Sequence, residues 1–424
     1  MLASLIAAFK LPDLRKRILF VFGMFAIYVF GLHIMVPGVD HEAMNRLFAH
    51  GGMFGVIDLF SGGAFKRYTV FAMGIAPYIN ASIIMQLLTV AIPNLEALAK
   101  EGEHGRKVIS QYTRYLTVIL AFVQALATNK FLTVSGILKV SMFGSLQIVL
   151  TLAAGTAFLM WMGEQITDRG VGNGVSLVIF AGIIAMLPTQ IMNTWELMRG
   201  GGHMMGGLVM IALFFATIVG IIAIQQAQRK IPIQHVKRVV GNKVYSGSSS
   251  FLPLRVNSAG VIPIIFAISI QLFPATISAV LGDSTPARAT FAHIVKWIQP
   301  GSVVGAIIYT AMIIFFTYFY TAITFNVPEV ADNLKKYGSF IPGIRPGKPT
   351  LEYIDRVMSR ITLAGAIFLS IIALMQYISP ELTGISTFSL AGGTSLLILV
   401  GVALETMQAI EAHLLMRHYE GFIK

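Results

Sequence analysis

The chain has 424 residues, 56% of them hydrophobic and 12% charged, with a formal net charge of +12 and no cysteine. So few polar side chains cannot clothe a soluble globule of this size, which makes the chain an all-α polytopic membrane protein. The missing cysteines exclude disulfides, thiolate metal sites and cysteine nucleophiles, and on an integral membrane protein the positive excess reads as basic cytoplasmic loops ahead of a nucleic-acid surface.

Ten segments reach the roughly 20 apolar residues that cross a bilayer at 1.5 Å per residue. In order they are about 18–36, 74–92, 112–128, 146–166, 175–192, 207–224, 259–281, 303–325, 361–378 and 394–410. The first follows a basic run and ends without a small-residue cleavage site, so it is expected to be a span and not a cleaved signal peptide. Between the first two, Asp58-Leu59-Phe60-Ser61-Gly62-Gly63-Ala64-Phe65 is too short and glycine-broken to cross, yet apolar enough to avoid water. A re-entrant outer segment is expected there. The second span carries Ile75, Ile79 and Ile83 on one face and the amides Asn80 and Gln86 within it. Unpaired amides are costly in hydrocarbon, so this helix is expected to border protein or a cavity.

When the flanking charges are assigned to alternate sides, Arg46, Lys66, Arg67, Lys130, Lys139, Arg199, Arg288 and Lys296 fall on one side and the rest of the 31 lysines and arginines on the other. The richer side is cytoplasmic, which places both termini there, as an even number of spans requires. Gly74-Ile75-Ala76-Pro77 opens the second span of the first five, and Gly260-Val261-Ile262-Pro263 opens the second span of the last five. Five being odd, the repeat predicts two halves of opposite orientation, about 1–200 and 201–424. Two long cytoplasmic connections, about 225–258 and 326–360, carry basic residues with Gly, Pro and aromatics. They read either as structured docking surfaces or as solvated loops that fix topology.

No catalytic motif stands up. In Gly343-Ile344-Arg345-Pro346-Gly347-Lys348-Pro349-Thr350 the glycine spacing is short and Pro349 separates Lys348 from Thr350, so a rigid basic turn is expected and not a phosphate cradle. Gly170, Gly172 and Gly174 miss the dinucleotide spacing and form a turn, with Ser176 near the next helix start. HExxH is absent, His33 reads as interfacial or packed, and no paired aspartates or Ser-His set lies in the spans. Glu164 and Glu405 lie toward cytoplasmic helix ends, and the span centres lack the Asp, Lys or Arg that an ion-coupled transporter usually retains.

Six stretches, GIAPYINASIIMQLLTV (74–90), EGEHGRKVISQYTRY (101–115), RGVGNGVSLVIFAGI (169–183), LPLRVNSAGVIPIIF (252–266), FIPGIRPGKPT (340–350) and YIDRVMSRIT (353–362), carry a resemblance over nearly the whole chain. The sequence resembles the SecY family of protein-conducting channels. The resemblance implies ten transmembrane helices in two inverted five-helix halves around a central hourglass pore, in the bacterial plasma membrane. It implies a waist ring of Ile75, Ile79, Ile179, Ile265 and Ile398, each of which taken singly reads as ordinary helix packing. It implies a plug at Ile57, Asp58, Leu59, Phe60, Ser61, Gly62, Gly63, Ala64 and Phe65. A lateral gate between spans two and three and spans seven and eight would use Asn80, Gln86, Ser269 and Phe273, whose polarity alternatively serves packing alone. Lys237, Arg238, Arg255 and Arg345 would dock the SecA motor ATPase or ribosomal RNA phosphates, a salt-sensitive attraction. Asn326-Val327-Pro328 departs from the family's Asn-Pro and leaves the turn after the eighth span open.

The expected function is passage of unfolded secretory chains outward and lateral release of apolar segments into the bilayer, without enzymatic activity or cofactor. SecE and SecG are implied as companion subunits. A secondary transporter built on inverted repeats is the alternative.

Overall fold

The computed structural model describes residues 8–49, 58, 61–199, 204–235, 238–240, 243–245, 249–280, 297–298, 302–383 and 393–420. Ile57, Leu59, Phe60 and Lys237 lie outside the described residues, as do the side chains of Arg238 and Phe273.

Ten long helices coincide with the ten predicted segments. The first, α1 (Pro12–Gly31), starts and ends earlier than hydropathy alone places it. Pro12 is preorganised for a first turn and Asp13 complements the helix dipole, so the basic stretch joins the helix. Beyond Gly31 the chain leaves the helix, and the Val36 N–H donates to the Tyr68 carbonyl at 3.0 Å. After a short outer helix, α2 (His41–Ala49), comes the one-turn helix α3 (Ala64–Arg67). The second span, α4 (Ala76–Ala91), is bent by 100° from α5 (Pro93–Lys100), because Pro93 cannot continue the hydrogen-bond ladder.

The first half is completed by α6 (Glu103–Val134), α7 (Met142–Arg169) and α8 (Gly174–Arg199). The second half holds α9 (Met204–Gln226), α10 (Ile262–Val280), α11 (Val303–Thr324), α13 (Lys348–Thr383) and α14 (Thr394–Glu420), with the cytoplasmic helix α12 (Val327–Lys336) after α11. Seven of these helices are long and apolar enough to cross a membrane alone, and α4 qualifies jointly with α5. At 32 and 36 residues, α6 and α13 would run roughly 48 and 54 Å, so each projects beyond a hydrocarbon core of about 30 Å.

The halves repeat one another in packing. Span one (α1) packs on spans four and five (α7, α8), and span six (α9) packs likewise on spans nine and ten (α13, α14). Backbone geometry repeats too: Gly74 and Gly260 both have left-handed φ, +57° and +65°, and each is followed two residues later by a helix whose second residue is proline. Only glycine takes that φ without strain, so the paired motifs mark one turn used twice. Across the halves, α10 meets α4 and α6 at one edge, while α8 meets α14 and α9 at another.

The two long connections are structured and joined. Strand β1 (Gln228–His235) pairs antiparallel with β4 (Ser249–Arg255) and with β5 (Ser339–Phe340), so one three-stranded sheet draws on both loops. A separate two-stranded sheet pairs β2 (Arg238–Val240) antiparallel with β3 (Lys243–Tyr245). His235 ties the loops further: its ring lies 2.7 Å from Ser339 Oγ and 3.3 Å from Ser250 Oγ. Beneath the sheet Ile231, Leu254, Ile341, Ile354 and Met358 form a buried apolar cluster of their own.

Asparagine side chains cap the helices that follow two turns. Ser176 lies near the start of α8, as expected, inside its first turn, and Asn173 Oδ1 accepts from the N–H groups of Val175 and Ser176 at 3.1 and 3.3 Å. After α11, Asn326 caps α12 by accepting from the Glu329 N–H at 3.3 Å, with Val327 and Pro328 in the first turn. The inserted valine is accommodated as an ordinary helix start.

Candidate functional site

The five ring candidates come from four helices of both halves. Ile75 is the N-cap residue of α4 and Ile79 sits one turn in, Ile179 comes from α8, Ile265 from α10 and Ile398 from α14. All five are at most 9% exposed and belong to one apolar cluster. Ala64 of α3, fully buried, belongs to the same cluster, so the re-entrant segment packs into the main apolar core. That cluster draws on helices of both halves.

The re-entrant segment is pinned by its own short polar groups. The Asp58 carbonyl accepts from the Gly63 N–H at 2.9 Å and from Ser61 Oγ at 3.0 Å, and Asp58 Oδ1 accepts from the Lys66 N–H at 2.7 Å. Ser61 Oγ in turn accepts from the Phe65 N–H at 3.1 Å. Gly62 and Gly63 take left-handed φ values that permit the tight turn. Burial pushes the Asp58 carboxyl up to about 6, against partial relief from the Lys66 N–H and the Lys66 and Arg67 charges.

The gate candidates Asn80 and Gln86 lie on α4 and Ser269 on α10, helices that meet across the halves. Asn80 is half-buried on α4, Ser269 is half-buried on α10, and Gln86 donates to Ser82 on its own helix at 3.4 Å. Sequence reading missed Gln271 on α10, a buried amide whose Nε2 donates to the carbonyls of Ile298 and Gly305 at 2.6 and 3.0 Å. It is an amide inside an apolar span, the same signal that singled out Asn80.

The carboxylates and the lone histidine find local explanations. Glu164 pairs with Arg114 at 2.6 Å, tying α7 to α6, and His33, in the turn after α1, has Nδ1 2.8 Å from the Val29 carbonyl of that helix. Glu405 lies seven residues from Ile398, roughly 10 Å along α14, with Oε1 3.5 Å from where a Cβ at Gly260 would stand. Among the docking candidates Arg255 and Arg345 are exposed, and Arg255 Nη2 donates to Gln408 at 3.3 Å. Among the described residues no three His, Asp or Glu side chains are grouped to hold a metal ion.

The family model SecY matches residues 69–407. This chain belongs to the SecY family. A Streptomyces scabiei protein named protein translocase subunit SecY is 45% identical over the full length of both chains. Among solved structures, the chain superposes with a TM-score of 0.66, at 19% identity and covering 94% of this chain and 92% of the other, on a SecY described as having a plug domain that stabilises the closed translocation channel and maintains a membrane seal. It superposes with a TM-score of 0.63, at 17% identity and with the same coverage, on Sec61 from the canine ribosome-channel complex of the endoplasmic reticulum. The shared architecture covers both halves, so this is a multi-pass membrane protein with the SecY fold.

Proposed function

We propose that this chain is a protein-conducting channel, passing unfolded secretory polypeptides across the bacterial plasma membrane and releasing transmembrane segments sideways into the bilayer. The observation that supports the reading is the burial of Ile75, Ile79, Ile179, Ile265 and Ile398, from four helices and both halves, in one apolar core that also takes in Ala64 of the re-entrant segment. An aliphatic waist holds no one substrate strongly, yields around a moving chain and resists ion leakage when empty. Residues 57–65 act as the plug, and the edge where α10 meets α4 and α6 is the lateral gate, with Asn80, Gln86, Ser269 and Phe273 along it. The units 1–200 and 201–424 are the two halves that move apart, and both termini are cytoplasmic.

The chain supplies no chemistry of its own, so the driving energy comes from partners. SecA and the ribosome dock on the joined cytoplasmic loops through Lys237, Arg238, Arg255 and Arg345, with SecE and SecG as companion subunits. Support for the ribosome comes from the canine Sec61 relative, which is described within a ribosome-channel complex.

A photo-crosslinker at Ile79 is expected to give an adduct with a secretory chain arrested in transit. A small-solute transporter gives none, and its absence with a chain demonstrably arrested would overturn the reading.

The plug should respond to outer pH. Asp58 in the packed segment has a pKa of about 6, above the ordinary carboxylate range, so the packed state binds the proton more tightly than a released one. Protonation therefore stabilises packing, fully below about pH 4 and not at all once pH has risen through about 6. The facing groups are Lys66, Arg67 and the Tyr28 hydroxyl. Resting conductance is expected to fall as the outer medium goes from pH 7 to pH 5, and Asp58→Asn should flatten that dependence. A slope unchanged in Asp58→Asn would remove Asp58 from the account.

A further inference from the structure

Three residues far apart in sequence meet under the re-entrant segment, and none belongs to the ring or the gate. Tyr28, near the end of α1, is 2% exposed, and its hydroxyl donates to the Ser61 carbonyl at 3.2 Å. Its ring is stacked on Phe71 with centroids 5.9 Å apart and planes 5° apart, and Phe71 is stacked in the same way on Phe158 of α7 at 6.0 Å. The hydroxyl is thus delivered on a rigid arm. It fits because two glycines make room: a Cβ on Gly182 of α8 would stand 2.8 Å from the Tyr28 oxygen, and a Cβ on Gly62 would stand 2.9 Å from it. The same two glycines let backbones touch, a Gly62 Cβ lying 2.7 Å from the Gly182 Cα.

We infer that Tyr28 and Gly182 form a seat that latches residues 61–65 in the resting position, the tyrosine hydroxyl filling the notch left by Gly62 and Gly182 and holding the Ser61 carbonyl. The inference rests on the plug reading above and adds the positioning residues that set how firmly the segment is held. Opening the seat then requires breaking one buried hydrogen bond and parting two glycine backbones, in addition to unburying Ala64 and Phe65. The ring keeps the waist dry, whereas the seat fixes where the segment rests relative to α1 and α8.

Gly182→Ala is a clean perturbation. Alanine favours a helix interior over glycine, so any loosening comes from the seat and not from a weakened α8. The chain has no cysteine, so Ala64→Cys gives the full-length channel in membranes a single thiol, at a position fully buried in the rest state. A membrane-impermeant thiol reagent added from the outer side reads release of the segment, and conductance across a planar bilayer reads the seal. Overpacking the notch should speed labelling by roughly ten- to a hundredfold and raise resting conductance. Tyr28→Phe, which removes one hydroxyl and leaves the stacked ring, should speed it several-fold.

The double variant Tyr28→Phe with Gly182→Ala separates a seat from general destabilisation, because the new methyl then enters the space the hydroxyl left. Its labelling should be slower than that of Gly182→Ala alone, a non-additive rescue. Gly23→Ala is the control on α1, since a Cβ there meets nothing within 4 Å. Labelling in Gly182→Ala no faster than in Gly23→Ala, or a double variant that labels faster than either single one, would overturn the seat. Faster labelling with unchanged conductance would keep the seat and remove the plug reading. Raised conductance with unchanged labelling would overturn the seat and leave the plug reading in place. If Gly182→Ala does not assemble, Tyr28→Phe carries the test alone, and labelling equal to that of the parent overturns the inference.

Discussion

Ile79→Asn and Ile265→Asn are each expected to raise the ion conductance of the resting channel and to admit secretory chains with weakened signal sequences. Both side chains are at most 9% exposed and lie in the cluster where the halves meet. An asparagine there loses aliphatic packing and brings an amide that must either stay unpaired or recruit water. Water at the waist is what an aliphatic ring excludes, so the amide favours the hydrated, open state. Losing about 2 kcal/mol of closed-state packing multiplies the open fraction roughly thirtyfold. A chain that engages the gate weakly then finds the channel already open more of the time, which lowers the demand on its signal. Ile84→Asn, on the exposed side of α4, should leave resting conductance at the parental level. Bilayer conductance together with export of a signal-defective reporter measures both effects. Parental values for both ring variants would sink the ring assignment.

The spans were legible in the sequence because each is a local pattern: twenty apolar residues in a row need no partner to be recognised. The repeat was legible for a related reason, since a glycine and a proline at fixed spacing state the same turn twice. What local pattern could not yield was contact across sequence. Nothing near Gln234 announces that it pairs with Phe340, because strand register between distant loops depends on the rest of the fold. Tyr28, Gly62 and Gly182 escaped for the same reason: each alone is an ordinary aromatic or glycine, and only their meeting makes a notch. The ring lies between these cases. Ile75 and Ile79 share a helix face visible in sequence, whereas their association with Ile179, Ile265 and Ile398 comes from family resemblance, and all five are buried in the main apolar core.

The distribution of rigid and yielding contacts follows the proposed work. The cytoplasmic loops are stiffened by a shared sheet, a histidine bridged to two serines and an apolar cluster, so a force applied to one loop is carried to the other. From there β4 leads within a few residues through Asn257, whose Nδ2 donates to the Gly260 carbonyl at 3.0 Å, into α10 and its ring residue Ile265. At the waist, by contrast, aliphatic contacts prevail. A partner seated on the loops is thus mechanically close to the one helix that touches both α4 and α6 across the halves.

Arg345→Glu should for that reason impair SecA-driven transport severely while leaving the channel present in the membrane. The arginine is exposed on the turn between β5 and α13, and among the described residues no ion pair engages its guanidinium. The turn does not depend on that side chain: Thr350 Oγ1 donates to the Arg345 carbonyl at 2.8 Å, Gly343 and Gly347 take left-handed φ, and Ile341 and Ile344 anchor the flanks in the loop cluster. Charge reversal therefore alters what the turn presents and not whether it forms. Against an acidic surface on a motor, an attractive charge becomes a repulsive one, with an expected loss of roughly tenfold or more in docking, largest at low salt. ATP-dependent transport into vesicles, normalised to channel abundance, measures it. Arg345→Lys should retain more activity than Arg345→Glu, because it keeps the charge while losing the fork of donors. Normal transport by Arg345→Glu at low salt would contradict a docking role for this turn.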